Sequence, residues 1–423
     1  MVLLLIVFFG LLFIGVPIPA TLGLALFQNT VTGGDVSLVF IARTMVGSMN
    51  SFPILAVPMF ILAGEIMGRG GISKRLFDFS NSLVGGITGG VPMATVLTCM
   101  LFGSISGSGP ATFAAVGTLM IPMMVKQGYD LKFVTGITAA AGSFGVILPP
   151  SIPMVMYAVS ANVSIGSMFM AGIIPGIIFG VFLMGYAYIY CKFNTIPPVP
   201  PELAPMPVLK SFKEGFFALL APVIILGGIY SGVFTATEAA AVAVVYGILI
   251  SRFIYKSIVL KDLPKYIYNA AATNGPILLI VALATVFGRV LTFEGIPRQI
   301  ADGIMGISTN PIIILLIINL VLLIIGLFME PLSSIIILTP ILLPIALSIG
   351  VDPIHFGIIM IANLAISLVT PPLGISLFVA ASITKLPILA LSRAAIGPII
   401  ALLIALLIIV FVPELSTFLA GGL

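Results

Sequence analysis

Two interruptions of an otherwise apolar chain recur 222 residues apart, and they limit its possible folds more than any other feature. The first copy runs from Phe102 to Pro150, and the second lies near the C-terminus. Shifting the numbering pairs Pro122 with Pro344, Gly128 with Gly350, Asp130 with Asp352, and Pro149-Pro150 with Pro371-Pro372. Each copy reads as a polar, helix-breaking tip, an apolar return, a Gly/Asp turn and a helix broken at Pro-Pro. Aliphatic coincidences are cheap in a chain that is 60% apolar; three aligned prolines are not. Paired, interrupted hydrophobic segments in corresponding halves point to the binding site of a membrane carrier.

Charged residues are 7% of the 423, against about 25% in a soluble domain. Such a chain cannot hide its apolar surface within itself, so its solvent is the bilayer. Spanning helices are expected near 2–27, 38–68, 133–159, 168–192, 214–234, 237–255, 267–292, 354–384 and 388–412. The first run has no charge and no basic leader region, which predicts one retained helix over 2–27. Two longer segments, 80–125 and 311–347, are broken midway, at Gly103–Pro110 and at Met329-Glu330-Pro331. Non-helical backbone at membrane depth survives only against protein or a water-filled cavity, so both read as re-entrant hairpins facing an aqueous site. Two plain crossings with short loops remain the alternative.

Charge placement tests this layout. With both segments as hairpins, fourteen of the seventeen basic residues fall on one face, leaving only Arg43, Arg289 and Arg298 elsewhere. The positive-inside rule makes that face cytoplasmic and places the N-terminus there too. It also explains the net charge of +4 without a nucleic-acid partner. The expected fold is an all-α integral membrane protein of two inverted repeats, 1–192 and 214–423, joined by a Pro-rich cytoplasmic linker over 193–213. Cys99 and Cys191 lack any metal or redox spacing. With one histidine, His355, in an expected external loop and no Walker motif, nothing suggests an enzyme.

The chemistry concentrates at the breaks. Ser104, Ser106 and Ser108 with Gly107 and Gly109 form the densest polar cluster of any apolar region. A broken helix offers carbonyls from one half to a cation and N–H groups from the other to an anion. The facing break, Gly142 to Pro150, frees further carbonyls because proline removes intrahelical hydrogen bonds. In the second copy, Met329-Glu330-Pro331 with Ser333 and Ser334 faces Asn363 and Val369-Thr370-Pro371-Pro372. One small-cation site per repeat is expected. Charges in the apolar layer mark function by default, which singles out Arg43, Glu65, Glu238, Arg289 and Glu330. Glu65 can pair with Arg69 at i,i+4. Glu330 is open between balancing a cation and a structural contact.

The run Phe102-Gly-Ser-Ile-Ser-Gly-Ser-Gly-Pro-Ala-Thr-Phe-Ala-Ala-Val-Gly117, with Ile121-Pro122-Met123-Met124, resembles the large membrane (M) subunit of tripartite ATP-independent periplasmic (TRAP) transporters. So do Ile147-Leu148-Pro149-Pro150-Ser151 and Val369-Thr370-Pro371-Pro372-Leu373-Gly374, and the similarity covers essentially the whole chain. It implies an elevator-type carrier in the bacterial inner membrane, driven by Na+. Its implied partners are a small membrane (Q) subunit, a separate chain here, and a periplasmic substrate-binding protein (P) that delivers an organic acid. Carried over by motif, the first sodium site falls on Ser104, Ser106 and the Gly145, Leu148 and Pro149 backbone. The second falls on Gly326, Met329 and Thr370. Anion capture is assigned to Ser108, Gly109 and Thr112 at the half-helix starting near Pro110, with Asn363 as a further polar group. The cargo is expected to be sialic acid slightly before a C4-dicarboxylate. The competing readings are a stand-alone sodium/anion symporter with the same hairpins, and a channel or structural membrane protein.

Overall fold

The computed structural model describes residues 2–32, 36–194, 205–308, 310–372 and 374–422, and among these it is helical without strands. The chain opens with α1 (Val2–Phe13) and α2 (Ile18–Val31). Phe8 packs on Phe287 at 4.8 Å between ring centroids, and a Cβ on Gly23 would lie 3.9 Å from Leu283. A continuous helix would hold Phe8 and Gly23 about 22 Å apart, whereas Leu283 and Phe287 are one turn apart. The two helices therefore double back. Gly15, at φ +87°, ends α1 with its own N–H on Leu12 O and that of Val16 on Leu11 O, and Pro17 starts the return. The single crossing expected over 2–27 does not form, because a glycine and a proline outweigh uninterrupted hydropathy.

The next elements are α3 (Leu38–Met49) and α4 (Ala56–Arg69), then α5 (Ile72–Val84). The first hairpin is α6 (Gly90–Ser106) and α7 (Gly109–Lys126). It runs antiparallel, since Thr95 reaches Met124 while Ser106 meets Thr112. The broken helix follows as α8 (Leu131–Gly142), α9 (Phe144–Ile147) and α10 (Ile152–Ala161), bent by 41°. The half closes with α11 (Ile165–Phe193). Sequence alone did not anticipate α5. It is amphipathic, burying Ile72, Leu76 and Phe77 while Lys74 is exposed, and its mean hydropathy hides it.

The second half contains α12 (Val208–Tyr230), α13 (Ala236–Leu249), α14 (Leu263–Phe293) and α15 (Ile296–Ile307). A second helix–turn–helix follows, α16 (Pro311–Gly326) and α17 (Pro331–Ser348). Then come α18 (Pro353–Ser367), α19 (Ile375–Thr384), α20 (Ile388–Phe411) and α21 (Glu414–Thr417). The amphipathic α15 answers α5 and was equally unforeseen. Of the expected linker, 195–204 lies outside the described residues, and 208–213 already belongs to α12. His355 is not in a loop but in the first turn of α18, buried. Glu238 closes a capping box with Thr235, which accounts for it structurally.

Among the described residues seven helices are long and apolar enough to cross a membrane, eight with the bent pair, so the chain is a multi-pass membrane protein. Together α3 and α4 run along α14, from Phe40 beside Phe293 to Glu65 beside Asn269. At the far end the basic segments gather. Gly70 O accepts from Ser257 Oγ at 2.6 Å, and the Arg75 guanidinium lies 3.7 Å from the Tyr255 ring centroid. Burial there raises the Asp78 carboxyl above its usual range, with Lys74 pulling the other way.

The halves are fastened by Tyr157, fully buried on α10, whose hydroxyl donates to Pro353 O at 2.5 Å. We expect Tyr157→Phe to lose about 1 kcal/mol, the usual net worth of one intramolecular hydrogen bond. Thermal unfolding of the solubilised protein measures this, and an unchanged midpoint would contradict it.

Candidate functional site

Gly107, at φ +62°, turns the chain out of α6, and extended Ser108 leads into α7 with Pro110 in its first turn. The tip is tied internally. Ser108 O accepts from Thr112 Oγ1 at 2.8 Å and from Ser106 Oγ at 3.3 Å, and the two hydroxyls sit 2.6 Å apart. Ser104 Oγ turns back to Leu101 O at 2.8 Å. The tip docks on the broken helix, with Ile152 N donating to Gly107 O at 3.3 Å.

That docking requires two backbones to touch. A Cβ on Gly145 would stand 2.4 Å from Ser108 O and 2.5 Å from Thr112 Oγ1. One on Gly103 would stand 2.8 Å from Gly145 N. Leu148 is extended and Pro149-Pro150 is cis. Neither proline has an N–H, so the carbonyls of Gly145 and Val146 lose their helical donors. Ser151 Oγ takes over at Val146 O.

The second half repeats the arrangement. Gly326 ends α16 against Ser367, where an added Cβ would meet Ser367 Cβ at 2.5 Å. Met329 is buried beneath the turn, and Thr370 Oγ1 donates to Ile366 O at 2.8 Å. Pro371-Pro372 is cis, and Leu368 O, deprived of a helical donor, accepts from Ser376 N at 3.0 Å. Glu330 caps α17 and accepts from Ser333 Oγ at 3.2 Å. Ser334 Oγ is buried with no hydrogen-bond partner.

Both tips face one cavity of about 680 Å³. Ser106 to Pro110 and Glu330 to Leu332 form one side, and residues of α4 and α14 form the other. This is within the range of small-molecule sites. Of the residues expected from sequence, Ser106, Ser108 and Gly109 line it. Ser104, Gly145, Leu148, Pro149, Gly326, Met329 and Thr370 are not among its lining residues. Two residues expected at the cargo also lie away from the cavity. Thr112 is fully buried and held by Ser106, so it supports the tip without reaching the cavity. Asn363 is fully buried between α16 and α18, donating to Asn319 Oδ1 at 2.7 Å, and does not line the cavity.

The α4–α14 wall was the part missed. Glu65 and Arg69 pair there with 2.6 Å between Nε and Oε1, as their spacing suggests. Asn269 Nδ2 donates to the same oxygen at 3.0 Å from 204 residues away, and no local pattern reveals that. Among the described residues no cluster of three or more His, Cys, Asp or Glu could hold a metal. The candidate ion ligands are neutral hydroxyl and carbonyl oxygens, a hard donor set that suits an alkali cation better than a transition metal.

The comparisons with known proteins agree with this architecture. Residues 5–415 match the family described as "Tripartite ATP-independent periplasmic transporter, DctM component". The chain is 46% identical over 411 residues to the isethionate TRAP transporter permease protein DctMQ of Oleidesulfovibrio alaskensis, covering 97% of this chain and 65% of that one. It is 44% identical over 372 residues to the C4-dicarboxylate TRAP transporter large permease protein DctM of Pseudomonas aeruginosa, covering 88% and 87%. To the sialic acid TRAP transporter large permease protein SiaM of Vibrio cholerae it is 38% identical over 410 residues, covering 97% and 96%. In fold it is similar to the YdaH transporter of Alcanivorax borkumensis, with a TM-score of 0.62 at 15% identity over 90% of each chain. MtrF of Neisseria gonorrhoeae gives 0.63 at 13% identity over 89% of this chain and 84% of that one. With the two halves, their paired breaks and the family match in agreement, the chain belongs to the DctM component family of tripartite ATP-independent periplasmic transporters, as a large membrane subunit.

Proposed function

We propose that this subunit carries out sodium-coupled uptake of a small organic acid across the bacterial inner membrane. A periplasmic binding protein delivers the acid, and a small membrane subunit is the partner. The observation that carries the reading is the convergence of two helix-breaking tips on one cavity, each packed against a helix broken at a Pro-Pro pair. The α7 N-terminus at Ser108 and Gly109 favours the acid group, and the oxygens at the breaks favour Na+. Relatives named for isethionate, C4-dicarboxylate and sialic acid share only a small anionic cargo, so that class is the proposal, with no preference for sialic acid. Transport follows an elevator path, the tips moving as one body past the α4–α14 wall from re-entrant positions in the membrane.

The hairpin of α1 and α2 favours an N-terminus on the face opposite to the one expected from sequence. With the basic end cytoplasmic, the start of α1 lies at the opposite, periplasmic end, beside Phe287.

The test is uptake into proteoliposomes containing both membrane subunits, with sodium, membrane potential and binding protein varied separately. Uptake should need a sodium gradient and the binding protein together. Ser106→Ala and Thr370→Ala should each raise the half-saturating sodium concentration about tenfold, the equivalent of roughly 1.4 kcal/mol. Cys191→Ser should leave it unchanged. Equal sodium response in all four proteins would refute the ion assignments, and uptake without the binding protein would favour a stand-alone symporter.

A further inference from the structure

The cavity's wall contains a second acid-group site that the ion and tip assignments do not use. Among its lining residues the charged ones are Glu65, Arg69 and Glu330. Glu330 stands on the tip side and answers to Ser333. Arg69 ends α4 on the opposite wall, its side chain 50% exposed, with its guanidinium carbon 5.4 Å from the Tyr266 ring centroid. Its Nε is the nitrogen that holds Glu65, and no other hydrogen bond of its guanidinium is recorded among the described residues. Asn269, on α14, points its amide at the same Glu65 oxygen.

Two donors from separate helices thus converge on one carboxylate oxygen inside the cargo cavity. A guanidinium lying over an aromatic ring beside a side-chain amide is well suited to a carboxylate or sulfonate. The carboxylate occupying it belongs to the protein. An exposed i,i+4 ion pair is weak, so an entering acid group can displace Glu65. The displaced Glu65 stays tethered next to the site and competes for it.

We infer that Arg69 and Asn269 form a release subsite for the cargo's acid group, and that Glu65 is the built-in competitor that keeps its hold short. This rests on the reading of the chain as an organic-acid carrier. The placement fits an exit step. Arg69 directly precedes Gly70, Gly71 and the basic end, so it lies between the hairpin tips and the face toward which cargo leaves. A cavity without Glu65 would hold an anion on Arg69 too firmly for fast turnover. One without Arg69 would present only negative charge to an anion leaving the tips.

The experiment measures binding and turnover on the same proteins. Succinate, isethionate and N-acetylneuraminate are each titrated calorimetrically into the two-subunit complex in nanodiscs with saturating sodium. Net uptake of the best binder is then followed in proteoliposomes. Glu65→Gln keeps the shape and removes the charge, and it should tighten binding about tenfold while slowing maximal uptake several-fold. Arg69→Gln should cancel that tightening when combined with Glu65→Gln, and Asn269→Ala should weaken binding alone. If Arg69→Gln fails to assemble, Arg69→Lys serves, because it keeps the charge and loses the fixed planar geometry. A purely structural ion pair would lower the amount of folded protein and leave affinity per folded molecule unchanged. Unchanged or weaker affinity in Glu65→Gln, with wild type binding normally, overturns the subsite alone. Wild type that neither binds nor transports any of the three acids overturns the carrier reading and the subsite with it.

Discussion

Gly145→Ala is expected to reduce sodium-driven uptake at least 100-fold while the protein still reaches the membrane. The added methyl group would lie 2.4 Å from Ser108 O and 2.5 Å from Thr112 Oγ1. The first neighbour is main chain at a tight turn, braced by the Thr112 and Ser106 hydroxyls, so it cannot swing aside. Relief requires the whole tip to lift off the break, which costs about 1–3 kcal/mol of packing. That shift would move the oxygens of both surfaces by roughly an ångström, and misplacement on this scale can cost about 10² in rate. Uptake in proteoliposomes measures the loss, with gel filtration to show that the protein is folded. Wild-type sodium affinity in folded Gly145→Ala would mean that the tip and the break do not share an ion.

Gly326→Ala should cause a comparable loss, at least tenfold, and unlike the first it should be reversible. Here the obstacle is a side chain, Ser367, with Cβ at 2.5 Å and Oγ at 2.7 Å from the new methyl. Rotating Ser367 moves its hydroxyl but not its Cβ, so the clash persists in the single variant. Adding Ser367→Gly removes both atoms, at a helical cost of about 1 kcal/mol. The double variant should therefore recover a substantial part of uptake and of sodium affinity. No comparable partner exists for Gly145, because a carbonyl cannot be trimmed. A double variant as inactive as Gly326→Ala would show that the loss does not arise from this contact.

Sequence revealed much of this framework because it carries the breaks openly. Proline and glycine act on the backbone locally, so Gly103–Pro110, Pro149-Pro150, Met329–Pro331 and Pro371-Pro372 were legible without knowing any partner. Ser106, Ser108 and Gly109 were placed on the cavity by the same reasoning. What failed depends on direction or distance. Thr112 lies within the polar run, but its turn of α7 points the hydroxyl inward at Ser106. Asn363 meets Asn319 across a helix contact, and Asn269 meets Glu65 across half the chain. The helices α5 and α15 escaped because an amphipathic segment looks like a loop to any average of hydropathy. At the N-terminus the reverse happened. Unbroken hydropathy over 2–27 masked the Gly15-Val16-Pro17 turn that folds it in two.

That fold has a mechanical consequence for the surrounding lipid. At 14 residues, α2 reaches about 21 Å even when upright, some 9 Å short of a typical hydrocarbon layer. The helices α12 and α13 do not share this shortfall, for each belongs to a helix of full spanning length. Ile6 and Ile14 nevertheless present their side chains outward. The acyl chains beside α2 must therefore dimple, or a second apolar protein must supply the missing thickness at that corner.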